Sequence, residues 1–274
     1  MKKVVHLGLA LLLCSATSVS AAGHWGYFGQ QGIEFNPAQW GEVSEFCNGC
    51  SQSPIDINTR KTVRGDARID FDYAAQSVSS TNNGHAVTVS PKSRAIYIDG
   101  KKYTLAQFHF HTLSEHTVNG RHYDMEMHLV HADDAWLAGD TVNGKLAVIG
   151  VFIEKGEENK TLQNIFAKLP HYDHETGIGE TISAEMAADF YSLLPAGRNS
   201  GDVYSYTGSL TTPTCNEVVS WFVLAKPIEM SGEQIEAYRA LYENPDGSTF
   251  DTNRPVQPLN GRTVYFGKIL GKRN

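Results

Sequence analysis

The stretch QFHFHTLSEH, residues 107–116, places three histidines and a glutamate within ten positions. On an extended strand side chains alternate between faces, so Gln107, His109 and His111 share one face and Phe108 and Phe110 the other. The two imidazoles then stand about 6.6–7 Å apart along the strand, too far to touch but suited to converging on one ion. A second stretch, DMEMHLVH, repeats the pattern: Glu126, His128 and Val130 on one face, Met125, Met127 and Leu129 on the other. Each stretch carries an acceptor two residues from a histidine, Gln107 for His109 and Glu126 for His128. A metal-bound imidazole needs such a partner for its remaining N–H. Three neutral imidazoles leave a zinc ion its full charge and a free position, the pattern of a catalytic rather than a structural site. A His-x-His strand followed by Glu115 also fits a cupin-type site for iron or manganese, although no second cupin half with its own Gly, Pro and His follows. His6, His24, His122, His171 and His174 read as ordinary core or surface residues, and His116 and His131 as structural hydrogen-bonding groups. No HExxH motif points to a zinc peptidase.

The elements that must hold these residues are strands. RIDFDY, VSSTNN, HAVTVS, AIYIDG, KKYTLAQFHFH, YDMEMHLVHA and KLAVIGVFIEK alternate or run apolar, separated by Gly and Asn. Helical spacing is confined to TLQNIFAKL (161–169) and SGEQIEAYRALY (231–242), the latter with Ser231 and Gln234 in a capping-box arrangement. Residues 23–56 read as ordered but irregular. Without repeat, low-complexity segment or linker, the chain is expected to be one mostly β (α+β) domain over 23–274. Its architecture would be a large, mostly antiparallel twisted central sheet with a few peripheral helices.

Residues 1–22 read as a removable signal peptide: Lys2 and Lys3, a short apolar run, then small residues up to Ala21 or Ala22. Cys14 is preceded by Leu13 rather than a small residue, against a lipoprotein anchor. The run is too short to span a bilayer, and no later span follows. The expected location is periplasmic or secreted. The formal charge is −7, and no basic stripe suggests nucleic acid. Loss of the leader leaves Cys47, Cys50 and Cys215, an odd number in an export compartment that permits disulfides.

Eight short runs, in order, resemble the α-class carbonic anhydrases of bacterial exported type: HWGY (24–27), QSPIDI (52–57), NNGHAV (82–87), QFHFHTLSEHTVNG (107–120), MEMHLVH (125–131), LAVIGVF (146–152), GSLTTPTCNEVVSW (208–221) and NRPVQPLNGR (253–262). The resemblance covers essentially the whole mature chain. It implies reversible hydration of carbon dioxide by a zinc-activated water, with weak esterase activity on the side. By position, His109, His111 and His128 match the zinc ligands, Thr211 the hydroxyl that orients the nucleophile, Glu115 the partner of that hydroxyl, and His85 the proton shuttle. Glu115 then has a role other than metal ligation. Val130, Val148, Leu210, Val219 and Trp221 match the apolar CO2 pocket, Thr212 and Gln107 its polar side, and Tyr27 and Asn83 an ordered-water network. The resemblance further implies sulfonamide and anion inhibitors, a homodimer, and a disulfide best assigned to Cys47–Cys215, with Cys50–Cys215 the alternative. A catalytically silent binding module on the same fold is the competing reading, but such relatives typically lack a ligand histidine.

Overall fold

In the computed structural model, residues 24–74, 77–91, 94–173, 178–185, 190–195 and 201–271 are described. The leader expected over 1–22 lies outside them, as does His174. Twelve strands form one sheet: β1 (Val63–Arg64), β2 (Ala67–Asp72), β3 (Ser77–Asn82), β4 (Val87–Pro91), β5 (Ala95–Ile98), β6 (Lys101–His111), β7 (Met125–Ala132), β8 (Leu146–Lys155), β9 (Thr181–Glu185), β10 (Asp202–Gly208), β11 (Val219–Met230) and β12 (Tyr265–Leu270). The order is β9-β3-β4-β6-β5-β2-β12-β10-β11-β8-β7, with β6 also paired to β7 and β1 to β12. Most pairs are antiparallel; β8–β11 and the contacts of β12 with β1 and β2 are parallel. The expected mostly β architecture is therefore present, in a mixed sheet.

Local sequence explains several of the joints. Asp99 and Gly100 both have positive φ (49° and 84°) and join β5 to β6 with Ile98 opposite Lys101. A two-residue turn of this kind matches the right-handed twist of its strands, and glycine takes it without strain. The helix Gly232–Arg239 starts as expected: Ser231 Oγ accepts from Gln234 N at 3.2 Å, and Gln234 Oε1 accepts from Ser231 N at 3.1 Å. The helix expected over 161–169 shrinks to Gln163–Phe166. Leu162 just before it and Ile165 within it are buried, so packing rather than helical propensity sets that segment.

The sheet buries a different cluster on each face. Phe108, Phe110, Met125, Met127, Leu129, Ala147, Ile149 and Val151 belong to the larger core. Val130, Ala132, Leu146, Val148, Val219, Trp221 and Val223 belong to the smaller one. The alternation along β6, β7 and β8 is what separates them, and the histidines stand on the side of the smaller cluster. Among the described residues no helix is long and apolar enough to cross a membrane.

Candidate active site

Strands β6 and β7 pair so that His109 lies opposite His128, Gln107 opposite Val130 and His111 opposite Glu126. The shared face of two strands therefore presents a compact patch of polar side chains. The ring centroids of His109, His111 and His128 stand 4.9–5.2 Å apart, and a ligand atom from each lies within 4.8 Å of the others. One nitrogen of each ring is already engaged. His109 Nδ1 bonds Gln107 Oε1 at 2.8 Å, His111 Nδ1 the Thr252 carbonyl at 2.6 Å, and His128 Nε2 Glu126 Oε1 at 2.9 Å. Because those partners accept, the engaged nitrogens carry the hydrogens. The lone pairs of His109 Nε2, His111 Nε2 and His128 Nδ1 are left over.

Burial keeps two of these rings, His109 and His111, unprotonated. His109 is held well below the usual histidine pKa, first by burial and then by the neighbouring His111 and His128. Burial also lowers His111, partly offset by the Glu115 charge. His111 Nε2 is buried and has no hydrogen-bond partner, as a lone pair awaiting a cation would.

A second group of potential ligands, His116, Glu126 and His128, overlaps the first. Its donors are already spent on one another. Glu126 Oε1 accepts from His116 Nδ1 at 2.7 Å as well as from His128, Glu126 Oε2 accepts from His116 N at 2.8 Å, and His116 Nε2 bonds the Tyr206 hydroxyl at 2.7 Å. Burial alone would raise the Glu126 pKa, but the charges and hydrogen bonds of His116 and His128 outweigh it and hold the carboxyl well below its usual range. Gly150 lies opposite His128, and a Cβ there would approach Glu126 Oε1 to 3.0 Å. The structural reading of His116 and His131 holds, the latter bonding the Tyr73 hydroxyl at 2.7 Å and the Ala147 carbonyl at 3.1 Å.

Glu115 is fully buried beside the ligand set. Oε1 accepts from Arg254 N at 2.9 Å. Oε2 lies 3.5 Å from His111 Nε2 and 3.8 Å from His128 Nδ1, with no hydrogen-bond partner. Thr211, buried in the loop after β10, does not donate to that oxygen here. The apolar residues cluster: Val148 stands opposite Val130 on β7 and Trp221 on β11, Val219 joins them, and half-buried Leu210 packs against the group. The Trp221 ring is 4.8 Å from that of His128, edge-on.

Further out, His85 is half-buried and stacks on Trp25, centroids 3.7 Å apart and planes 8° apart. Asn83 is exposed, and its Oδ1 caps the turn by accepting from His85 N and Ala86 N at 2.9 and 2.8 Å. Tyr27 is buried with an unpaired hydroxyl; burial, then the Glu115 charge, raises its pKa well above the phenol range. Half-buried Thr212 offers its carbonyl to Cys215 N at 2.8 Å. Cys47 and Cys215 form a disulfide, and Cys50 is free and exposed.

Sequence reasoning missed the Thr252 carbonyl, because a backbone acceptor leaves no mark in residue type. It also missed Arg254. That buried guanidinium donates to Gln52 Oε1 and Ser53 O at 2.8 Å each while its backbone holds Glu115.

The family model for eukaryotic-type carbonic anhydrase matches residues 35–268. The chain belongs to the carbonic anhydrase family. It is 38% identical to a carbonic anhydrase of Klebsiella pneumoniae over 93% of this chain and 96% of that protein, and 37% identical to one of Neisseria gonorrhoeae over 93% of both. Among solved structures, the α-carbonic anhydrase of Thermovibrio ammonificans, in complex with the inhibitor sulfanilamide, matches with a TM-score of 0.73 and 40% identity, over 89% of this chain and all of that one. The Photobacterium profundum α-carbonic anhydrase matches at 0.71 and 35%, over 85% and 97%. The chain is thus a carbonate dehydratase, catalysing reversible hydration of carbon dioxide. The cupin and silent-module readings are not favoured.

Proposed function

We propose that this carbonic anhydrase binds one zinc ion through His109 Nε2, His111 Nε2 and His128 Nδ1 and works as an exported, single-domain enzyme over residues 23–274. The observation that carries the reading is the convergence of three imidazole lone pairs whose opposite nitrogens are all committed. Bound zinc supplies the Lewis acidity that brings a water's pKa near neutrality, a rule for which carbonic anhydrase is itself the reference case.

The protein's own groups do the rest. Gln107, the Thr252 carbonyl and Glu126 fix ring orientation and tautomer, so each ligand nitrogen is unprotonated when needed. Carbon dioxide is linear and without a hydrogen to donate. Val130, Val148, Val219, Trp221 and Leu210 give it an apolar wall that offers competing water no hydrogen bonds. Thr211 accepts a hydrogen bond from the attacking oxygen, provided its own hydrogen points elsewhere. Glu115 Oε2, a buried acceptor with no other hydrogen bond, is the group able to take it. Such a pair aims a lone pair at the carbon and disfavours ligands that lack a proton. Thr212 and Gln107 line the polar side. The proton released in each turnover leaves through waters ordered by Tyr27 and Asn83 and then through His85, because an imidazole both takes up and releases protons near neutral pH. Sulfonamides and small anions would compete at the same place, in keeping with the sulfanilamide complex of the Thermovibrio ammonificans enzyme. Export is supported by the Cys47–Cys215 disulfide. A homodimer rests on the resemblance to bacterial relatives alone.

The two overlapping ligand groups make the metal assignment testable. His111→Asn should abolish stoichiometric zinc and hydration, whereas His116→Gln should keep its zinc at reduced affinity. Zinc retained by His111→Asn but lost from His116→Gln would overturn the assignment.

A further inference from the structure

The segment 252–254 lies outside the strands and helices, yet it turns two main-chain groups toward the site. The Thr252 carbonyl accepts from His111 Nδ1 at 2.6 Å, and Arg254 N donates to Glu115 Oε1 at 2.9 Å. Backbone without a ladder must be held by other groups, and here the Arg254 side chain is the anchor. Its guanidinium is buried over the Trp40 ring, 5.5 Å from the centroid. Nη1 donates to Gln52 Oε1 and the Ser53 carbonyl at 2.8 Å each, and Nη2 to the Cys47 carbonyl at 3.4 Å. Both acceptors of Nη1 reach on to the loop that carries Thr211. The Gln52 amide nitrogen donates to the Cys215 carbonyl at 3.2 Å, and Ser53 N donates to Ser209 Oγ at 2.9 Å. Gln52 also donates to the Phe46 carbonyl and Glu217 Oε1 at 2.9 and 3.0 Å, which turns its amide oxygen toward Arg254. The supports of Glu115 and of the Thr211 loop therefore meet at one buried cation. Burial pushes that guanidinium down to about 10, with the Glu115 charge acting the other way, so it is charged at neutral pH. A planar fork holds two acceptors in fixed directions, which a single ammonium does not.

We infer that Arg254 is a positioning residue that sets the alignment of Thr211 with Glu115. It thereby governs the discrimination between ligands that can give Thr211 a proton and ligands that cannot. It touches neither substrate nor metal and acts through its own backbone on Glu115 and through Gln52 and Ser53 on the Thr211 loop. The inference rests on the proposed Thr211–Glu115 pair, and its test separates the two.

The test compares zinc-loaded wild type, Arg254→Met, Arg254→Lys, Glu115→Gln and the double variant Arg254→Met/Glu115→Gln. Each is assayed for stopped-flow CO2 hydration and for inhibition by two probes: iodide, which has no proton to give, and sulfanilamide, whose ionised nitrogen keeps one. Arg254→Met should lower kcat/KM and also lower the ratio of the iodide to the sulfanilamide inhibition constant, by about ten-fold, the worth of one hydrogen bond. A purely structural role would weaken hydration and both inhibitors together, and an unchanged ratio would overturn the inference. Arg254→Lys keeps the buried charge and so serves where Arg254→Met does not fold. Its ratio should shift in the same direction, because one ammonium cannot hold Gln52 and Ser53 in the same geometry. The double variant should shift the ratio no further than Glu115→Gln, as expected of a residue that acts through Glu115; shifts that add would overturn the inference. If Glu115→Gln shifts the ratio and the Arg254 variants do not, this inference falls and the Thr211–Glu115 pair stands. An unshifted ratio in Glu115→Gln would remove the pair on which the inference rests.

Discussion

Removing the Cys47–Cys215 disulfide should cost this enzyme a large part of its stability. The bridge joins residues 168 apart in sequence. In the chain-entropy account, closing a loop of that length removes about 17 cal/mol/K from the unfolded ensemble, or about 5 kcal/mol at 25 °C. Residual structure in the unfolded chain lowers the figure, so an observed loss of about 3–5 kcal/mol is expected. A domain's whole margin is about 5–15 kcal/mol. The perturbation is Cys47→Ala/Cys215→Ala with Cys50 retained. The assay is equilibrium urea unfolding followed by the fluorescence of the buried Trp40 and Trp221. The urea midpoint should fall, and the slope should rise because the uncrosslinked chain exposes more surface. Hydration should fall as well. Cys215 N donates to the Thr212 carbonyl and Leu210 N to the Asn216 carbonyl, so the bridge pins the loop that carries Thr211. A stability loss under about 1 kcal/mol would refute the argument, because a loop this long cannot be so cheap to leave open.

Glu126→Gln places an amide NH2 where Glu126 accepts three hydrogen bonds, so a donor must face a donor. Zinc affinity, measured by chelator competition, should drop about 10–100-fold, a range for which this family is itself a reference case, and Gln107→Ala should cost less because it frees only one half-buried bond. His131 is pushed from 6.5 down to about 3 by burial, so the unfolded chain takes up the proton first. Its stabilising contribution is complete above pH 6.5 and drains away as pH falls toward 3, at up to about 1.4 kcal/mol per pH unit. Urea midpoints between pH 7.5 and 4.5 should slope less in His131→Gln than in the wild type, and equal slopes would remove His131 from the acid response.

The site was legible to the extent that it is written in side-chain phase. His109, His111 and His128 alternate with large apolar residues, and strand geometry turns that alternation into convergence on one face. Gln107 and Glu126 were visible for the same reason, at two residues from their histidines. Strand β11 was not, since it runs apolar through Val223 and Leu224 where it is sandwiched between β8 and β10. A strand buried on both faces loses its period of two. The parallel β8–β11 pairing was hidden too, because it depends on a long crossover rather than on a turn. The stack of Trp25 on His85 escaped because the chain brings the two together across about sixty residues with no shared periodicity.

The most direct test of the central claim is a zinc titration of the metal-free chain followed by stopped-flow CO2 hydration and zinc analysis of the same samples. Activity should be absent without metal, rise in proportion to added zinc, and level off at one ion per chain. A folded chain carrying one zinc yet failing to hydrate CO2, or hydrating it equally well without metal, would contradict the assignment of His109, His111 and His128 as the centre of the reaction.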